Sequence, residues 1–418
     1  MSVRSIRVAS LLIAVGALVG CGASPAPAPG PRAAARWSVS HLDPPAAPGS
    51  GEPNLALAPD GSMVLSWTER EGEGHRLKFA RREKGGEWSA PHEIAHGDDW
   101  FVNWADFPGM AVAEDGTLFA QWLQMSGGDT AYSYDVKVAW SRDAGETWSA
   151  PITPHDDGTL TEHGFVSMVP AGGDRVSLVW LDGRETVGAS EGGHSSAARM
   201  TIRSGVLDST GEITQAALLD DRVCDCCQTS AARASDGLIA VFRDRSEAEI
   251  RDISFVRSSP EGWSPSATVA EDGWEINGCP VNGPSIAAAG DVAVVAWFGA
   301  PGNEPHVRAA FSQDAGRTWS APIPIDDGRP IGRVDVALLE SGDAVVSWME
   351  QVEDGAEVRI RSVDVQGNRG EALTVAGSSV ARSTGFPRME RSGDELVIAW
   401  RDSSDPPLVR AAVVTGGP

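Results

Sequence analysis

One segment of eleven residues occurs twice in the chain with few changes, and this repetition constrains the fold more than any other feature. The first copy, SRDAGETWSAP, spans Ser141 to Pro151, and the second, SQDAGRTWSAP, spans Ser312 to Pro322. Near-copies so far apart indicate an internal structural repeat. In each copy an aspartate can cap backbone N–H groups, a glycine can adopt a positive φ, and a tryptophan can anchor the next strand. The segments therefore predict two tight turns in equivalent repeats.

A second marker gives the number of repeats. Short apolar strands end in an aromatic residue followed by polar residues, at intervals of about 50–60 residues. The aromatic residues are Trp67, Trp122, Trp180, Phe242, Trp297, Trp348 and Trp400. Each unit opens with a hairpin, continues with a third strand, and in most units adds a fourth. Four strands per unit are typical of a propeller blade, so we expect an all-β propeller of seven blades, with six as the alternative.

The two ends of the chain indicate how the ring closes. The last unit has no fourth strand after LVRAAVV, while the segment RWSVSHL, Arg36 to Leu42, resembles the fourth strand EWSAPHEI of the first unit. We therefore expect the N-terminal strand to complete the final blade. Such closure removes the open edges of the sheet.

The first residues have the pattern of a targeting signal. Arg4 and Arg7 precede an apolar run, Ala9 to Val19, that is too short to span a bilayer as a mature helix. The run leads into Leu-Val-Gly-Cys, which resembles a bacterial lipobox and implies cleavage before Cys21 and lipidation of that cysteine. We expect a signal peptide at 1–20, the lipidated cysteine with an Ala/Pro-rich tether at 21–36, and the propeller at 37–418. An ordinary secretory signal is the alternative.

Composition restricts the partners. The chain has 418 residues and a formal net charge of −24, spread along its length. Acidity of this size argues against nucleic acid and against an anionic membrane surface. We expect a monomer in the cell envelope that touches the membrane only through its lipid. Gly22 after the cysteine favours the outer membrane.

The repeated segment resembles the Asp-box, or BNR repeat, S-x-D-x-G-x-x-W, of the sialidase superfamily. The matching residues are Ser141, Asp143, Gly145 and Trp148 in one copy, and Ser312, Asp314, Gly316 and Trp319 in the other. The resemblance implies a propeller and a structural role for the box, which by itself predicts no chemistry. Sialidases bind a carboxylate with three arginines, attack with a tyrosine activated by a glutamate, and use an aspartate as acid and base. This chain lacks the family's Arg-Ile-Pro signature and has only two tyrosines, Tyr132 and Tyr134, both in an early blade, so the catalytic tyrosine is not carried over.

The topology predicts one face for a binding site, where the connections into the inner strands meet the loops between the second and third strands. Charged residues of these segments are the candidates for binding an anionic ligand: His163, Arg184, Arg243, Arg245, Arg251, Arg333, Arg382 and Arg401. For catalysis, the carboxylates Asp106, Asp244 and Glu247 are the candidates, since glycoside hydrolysis uses a carboxylate pair.

Four cysteines gather near the same face. Cys224, Cys226 and Cys227 form the run CDCC, and an offset of 55 residues between the fourth and fifth units gives Cys279 the position in the fifth unit that Cys224 has in the fourth. Their thiols are expected to meet. Two disulfides fit an oxidising compartment, a thiolate site with His163 as a further ligand would suit copper or zinc, and free or redox-active thiols are the third possibility.

Three functions remain open from the sequence. The first is an exported sialidase-like propeller that binds a glycan or another anionic ligand, with catalysis unproven. The second is an exo-glycosidase. The third is a protein-interaction scaffold or a cysteine-based metal-binding protein.

Overall fold

A computed structural model describes residues 37–188 and 199–417 of the chain. Almost all regular structure in these residues is β-strand, and the strands form seven antiparallel sheets arranged as propeller blades. The all-β propeller with seven blades is therefore confirmed, and six blades is wrong. The signal segment, Cys21 and the tether lie outside the described residues. Within the described ranges, no helix is long and apolar enough to cross a membrane.

The first three blades follow the chain in order after the N-terminal strand β1 (Ser38–His41). Blade 1 contains β2 (Ser50–Leu57), β3 (Met63–Glu71), β4 (Gly74–Arg82) and β5 (His92–Gly97). Blade 2 contains β6 (Gly109–Val112), β7 (Leu118–Met125) and β8 (Tyr134–Ser141), and its outer position is held by a bridge between Val138 and Ile152. Blade 3 contains β9 (His163–Pro170), β10 (Arg175–Asp182), β11 (Met200–Asp208) and β12 (Ile213–Val223).

The next two blades differ in their outer strands. Blade 4 contains β13 (Ser230–Ala234), β14 (Gly237–Arg243) and β15 (Ile253–Ser259), whose outer edge is shared by β16 (Gly262–Trp263) and β17 (Ala267–Ala270). Blade 5 contains β18 (Ser285–Ala289), β19 (Val292–Gly299), β20 (His306–Ser312) and β21 (Ile323–Pro324).

The last two blades complete the ring. Blade 6 contains β22 (Pro330–Leu338), β23 (Ala344–Val352), β24 (Gly355–Val363) and β25 (Leu373–Ser378). Blade 7 contains β26 (Arg388–Ser392), β27 (Glu395–Arg401) and β28 (Val409–Thr415), with β1 as its fourth strand. Three short 3₁₀ helices, Arg184–Thr186, Pro301–Asn303 and Arg382–Thr384, lie in loops.

Closure by the N-terminal strand is confirmed. β1 pairs antiparallel with β28, from Ser38 opposite Thr415 to His41 opposite Ala412. A buried ion pair joins the first and last blades, with 2.7 Å between Nη1 of Arg82 and Oε2 of Glu395. The ring is therefore closed by backbone pairing within blade 7 and by side-chain contacts between blades 7 and 1.

The aromatic marker of the repeat lies in the core between blades. Trp67, Trp297 and Trp348 are fully buried on the second strands of their blades. A buried indole N–H needs an acceptor, and each finds a carboxylate: Nε1 of Trp67 donates to Glu69 at 2.7 Å, and Nε1 of Trp348 donates to Glu350 at 2.6 Å. In blades 1 and 6 the acidic residue two positions after the tryptophan is therefore the acceptor, whereas Nε1 of Trp297 donates to Asp272 at 2.6 Å.

The two repeated segments form turns with matching hydrogen bonds. Oγ of Ser141 accepts the N–H of Gly145 at 2.9 Å, and Oδ1 of Asp143 accepts the N–H of Thr147 at 2.9 Å. The second turn repeats these bonds, with Ser312 accepting from Gly316 at 2.8 Å and Asp314 accepting from Thr318 at 2.8 Å. Both turns connect the third strand to the outer edge of a blade, so they lie on the face opposite the predicted site.

Candidate functional site

The inner strands surround a central cavity of about 480 Å³. At one end, the segments that lead into the inner strands approach one another, as the topology predicts. This end contains Asp106, the cysteine run and the loop before β9. We call it the channel mouth.

The most unusual contact at the channel mouth is a tyrosine hydroxyl between two carboxyl groups. The Tyr134 hydroxyl lies 2.7 Å from Oε1 of Glu162 and 3.1 Å from Oδ2 of Asp106. A tyrosine has only one O–H proton, so both contacts can be hydrogen bonds only if one carboxyl group is itself protonated. The three residues therefore share protons, and we call them the Asp–Tyr–Glu trio.

Burial changes the protonation of the trio. Loss of solvation raises the pKa of Asp106 to about 7, against the opposing hydrogen bonds from Phe165 and Tyr134. It also raises the pKa of Glu162 well above its ordinary value, and the charges of Asp106, Asp225 and Cys279 add to this effect. A carboxyl group whose pKa is raised towards neutral pH can both hold and release a proton there, which suits general acid and base chemistry.

Neighbouring residues fix the geometry of the trio. The ring of Tyr134 stacks on Phe101 with 4.1 Å between centroids, and the N–H of Phe165 donates to Oδ1 of Asp106 at 2.7 Å. A Cβ on Gly164 would come within 2.0 Å of Oδ2 of Asp106, so only glycine leaves room for the carboxyl group. Asp106 lines the central cavity, and Glu162 is partly exposed.

The cysteine run forms a second cluster at the channel mouth. Sγ of Cys224 lies 3.2 Å from Sγ of Cys227 and 3.7 Å from Sγ of Cys226, and all four cysteines of the described residues are free thiols. The three sulfurs lie within 4.8 Å of one another. Cys279 lies within the same distance of Cys226 and Asp225 instead, so its nearest thiol is Cys226 rather than the expected Cys224.

A buried guanidinium compensates the charge of this cluster. Nη1 of Arg251 lies 3.2 Å from Sγ of Cys224, and the Arg251 side chain is completely buried. Burial opposes ionisation of Cys224, but hydrogen bonds from the other two thiols and the charge of Arg251 lower the pKa of Cys224 well below its ordinary value. Cys224 and Cys227 also have the Cys-x-x-Cys spacing that is common in zinc sites.

His163 belongs to a separate cluster. Its Nε2 lies 3.1 Å from Oδ2 of Asp157 and 3.8 Å from Oδ1 of Asp182, while its ring stacks on His155 with 3.8 Å between centroids. Arg184 binds Asp182 through Nε at 2.7 Å. The structure therefore brings His163 and Arg184 together around aspartates and does not bring His163 to the thiol cluster.

Three other predicted arginines support the loops instead of facing an open cleft. The Arg243 guanidinium is buried and donates to the backbone carbonyls of Asn282, Arg251 and Phe298. Arg245 pairs with Glu249 at 2.8 Å, and Arg251 pairs with the same carboxylate at 2.8 Å. These side chains satisfy backbone and carboxylate acceptors within blades 4 and 5.

Two of the remaining predicted arginines, Arg333 and Arg382, lie over the Trp104 ring. The guanidinium of Arg333 is buried, lies 5.0 Å from the Trp104 ring centroid and donates to Thr384 and Gly385. Arg382 is exposed and lies 6.0 Å from the same centroid. Arg401 donates to the carbonyl of Ser383. Of this group, the exposed Arg382 is best placed to meet an anionic ligand.

The structure does not join the predicted carboxylates Asp244 and Glu247 to Asp106. Asp244 accepts from Ser254 at 2.9 Å and from the N–H of Arg245 at 2.7 Å, and Glu247 is exposed in the same loop. The partners of Asp106 are Tyr134 and Glu162, which sequence reasoning missed. Glu162 stands in the connection that leads into β9, and the topology assigned such connections to this face, so that position was the available signal.

Comparison with solved structures confirms the class of fold. The α-L-arabinofuranosidase Arb93A of Fusarium graminearum, solved with an iminosugar inhibitor, matches over 90% of this chain and 97% of its own, with 15% identity and a TM-score of 0.50. The polysaccharide lyase Uly1 matches over 87% of this chain and 89% of its own, with 11% identity and a TM-score of 0.52. A NanB sialidase variant of Streptococcus pneumoniae matches over 92% and 95%, with 10% identity and a TM-score of 0.46.

The chain thus shares its propeller fold with an α-L-arabinofuranosidase and a polysaccharide lyase. At these identities the likeness shows the fold alone. No protein-family model and no curated protein sequence matches the chain.

Proposed function

We propose that the channel mouth binds a glycan and cleaves its glycosidic bond through the Asp–Tyr–Glu trio. The observation that carries this proposal is the Tyr134 hydroxyl held between two carboxyl groups at 2.7 and 3.1 Å beside the central cavity. Both carboxyl groups contact one hydroxyl, so Tyr134 lies between a group that can take its proton and a group that can supply one. The solved structures with similar folds include an α-L-arabinofuranosidase and a polysaccharide lyase.

The chemistry assigns a role to each member of the trio. Glu162 is partly exposed, and in its ionised form it can take the proton of the Tyr134 hydroxyl, which then attacks the sugar carbon, as in glycosidases with a tyrosine nucleophile. Asp106, whose pKa is raised to about 7, can hold the proton that the leaving oxygen needs. The exposed Arg382 beside Trp104 supplies a positive group for an acidic sugar.

The test uses the two tyrosines as a matched pair. Tyr134 is buried in the trio, whereas Tyr132 is 55% exposed two residues earlier. With polysaccharides and aryl glycosides as probes, we expect Tyr134→Phe to lower kcat/KM by at least about 10²-fold, because it removes the hydroxyl that would attack the sugar. Tyr132→Phe should leave kcat/KM unchanged.

Glu162→Gln should resemble Tyr134→Phe in this assay, and thermal unfolding would show that both variants fold. Glycan binding without release of reducing ends would remove the catalytic part of the proposal. Equal activity of the two tyrosine variants would contradict the role of the trio.

We also propose that the protein is exported and anchored by a lipid on Cys21. The support is the pattern of residues 1–21, which resembles a lipoprotein signal. Labelling of cells with a radioactive fatty acid should mark the full chain, and Cys21→Ser should abolish the label. Persistence of the label in this variant would contradict the proposal.

A further inference from the structure

Three thiols converge at the channel mouth, and the proposed glycan chemistry does not use them. Cys224, Cys226 and Cys227 lie in one tight turn between β12 and β13. We propose that these three thiols bind one soft metal ion, and that Cu(I) is the ion that fits them best.

The distances between the sulfurs suit a single shared ion. Sγ of Cys224 lies 3.2 Å from Sγ of Cys227 and 3.7 Å from Sγ of Cys226, with all three sulfurs within 4.8 Å of one another. Thiolate sulfurs bind a metal at about 2.3 Å, so one ion can reach all three without movement of the backbone. The separations are longer than an S–S bond, which is about 2.05 Å.

The number of ligands distinguishes copper from zinc. Structural zinc sites have four protein ligands in a tetrahedron. Among the described residues, the group that includes Cys224 and Cys227 contains three thiols, whereas Cys279 groups with Cys226 and Asp225. Three soft thiolates without a fourth donor favour Cu(I), which thioether and thiolate ligands select.

The surroundings of the cluster stabilise the charge that such a complex would carry. Three thiolates and one monovalent cation leave two net negative charges. Nη1 of Arg251 lies 3.2 Å from Sγ of Cys224, and this arginine is completely buried. The buried guanidinium therefore contacts a ligand sulfur, orients it and offsets its negative charge, as the groups around metal ligands do.

The backbone around the thiols is fixed before any ion binds. The N–H of Cys224 donates to the carbonyl of Arg243 at 2.9 Å. Next to Cys227, the Gln228 side chain donates to the carbonyl of Ala105 at 2.7 Å and accepts from the N–H of Gly283 at 2.9 Å. These bonds join the cysteine turn to blades 2 and 5, so the positions of the sulfurs are preorganised. On binding, the thiols that are still protonated release their protons to solvent, and the oxidation state of Cu(I) does not change.

The test measures Cu(I) binding by the full chain with Cys21→Ser as the background, under anaerobic and reducing conditions. Copper is supplied from a competing chelator, and we expect one copper per chain after desalting. Cys224→Ser and Cys227→Ser should each weaken binding by about 10²-fold or more, by loss of a ligand. Cys279→Ser is the matched control and should change the affinity by less than about 3-fold.

X-ray absorption at the copper edge counts the ligands in the chain that keeps all four thiols, so it does not depend on the folding of any variant. Three sulfur ligands would support the site, whereas two or four would overturn the assigned ligand set. Failure of the reduced chain to retain copper would overturn the proposal, as would zinc displacing copper at equal concentration. Tyr134→Phe should leave copper retention unchanged, which separates this test from that of the glycan chemistry.

Discussion

At the scale of single residues, the channel mouth is defined by what each polar side chain contacts. Many of the predicted arginines are satisfied by backbone carbonyls or by carboxylates, as Arg243 and Arg333 are. Tyr134 differs because its hydroxyl faces two groups that compete for one proton. The chemistry of the site therefore depends on proton sharing more than on accumulated positive charge.

The sequence could indicate part of this site. Asp106 and the four cysteines were found because they stand in segments that the topology places at the mouth. Tyr134 and Glu162 were missed because they come from different blades and meet only through space. The arginines were predicted to bind a ligand because the sequence does not show that backbone carbonyls accept hydrogen bonds from some of their buried guanidinium groups.

A pH-dependent stability should follow from Asp106. Its pKa is raised from 3.8 to about 7 in the folded state, so the folded protein keeps a proton that the unfolded chain loses. The protonated Asp106 therefore stabilises the folded state relative to the unfolded state fully below about pH 4, and this stabilisation is lost as pH rises through about 7. We expect it to amount to at most about 4 kcal/mol of unfolding free energy.

Asp106→Asn provides the comparison, because an amide reproduces the protonated carboxyl group without titrating. The free energies of unfolding of both proteins would be measured from pH 4 to pH 8 in denaturant. The unmodified protein should lose stability relative to the variant as pH rises. Glu390, whose pKa is also raised to about 7, contributes equally to both proteins. Parallel pH profiles would contradict the protonation assigned to Asp106.

At the scale of strands and turns, the repeated segment forms a turn within its own blade and also packs against the preceding blade. A Cβ on Gly316 would lie 2.6 Å from Cδ1 of Ile239, and one on Gly145 would lie 2.3 Å from Cζ of Phe79. Ile239 and Phe79 belong to the preceding blade in each case. The glycine of the segment thus serves both the turn and the packing between blades.

The effect of the positive φ and the effect of the packing between blades can be measured separately by substituting two different glycines. Gly316 and Gly342 both have positive φ, of 77° and 87°, but a Cβ on Gly342 meets nothing within 4 Å. We expect Gly342→Ala to lower the free energy of unfolding by about 1 kcal/mol through backbone strain alone. Gly316→Ala should lower it by a further 1–3 kcal/mol, approximately, because of the clash with Ile239. Equal losses in denaturant titrations would show that the contact between blades contributes nothing.

The repeat also explains why the number of blades could be predicted from the sequence and the outer strands could be predicted less well. The aromatic marker and the turn residues gave the number of blades, since each unit must bury the same face against its neighbours. The outer strands were less predictable, because only one edge is paired and few side chains are buried. Blade 2 has a single bridge there, and blade 4 divides the position between β16 and β17.

At the scale of the whole molecule, the stability of the ring depends on a strand of four residues. β1 covers the outer edge of β28 in blade 7, and Trp37 packs against the same core. A chain that begins at Pro44 should therefore expose that edge, unfold at a lower temperature and be cleaved faster by proteases within blade 7.

A chain that begins at Arg36 is the control, since it keeps β1. Thermal scans and limited proteolysis would compare the two chains. Equal melting temperatures and equal cleavage rates would show that the pairing of β1 with β28 is dispensable.

The pairing of β1 with β28 also affects the timing of folding. During synthesis the ribosome releases residues 38–41 among the first of the propeller and residues 409–415 among the last. The strand made earliest thus has no partner until translation of the ring is almost finished, and its pairing edge is open to other strands in the meantime. The ring can therefore close only after its last strand has been made.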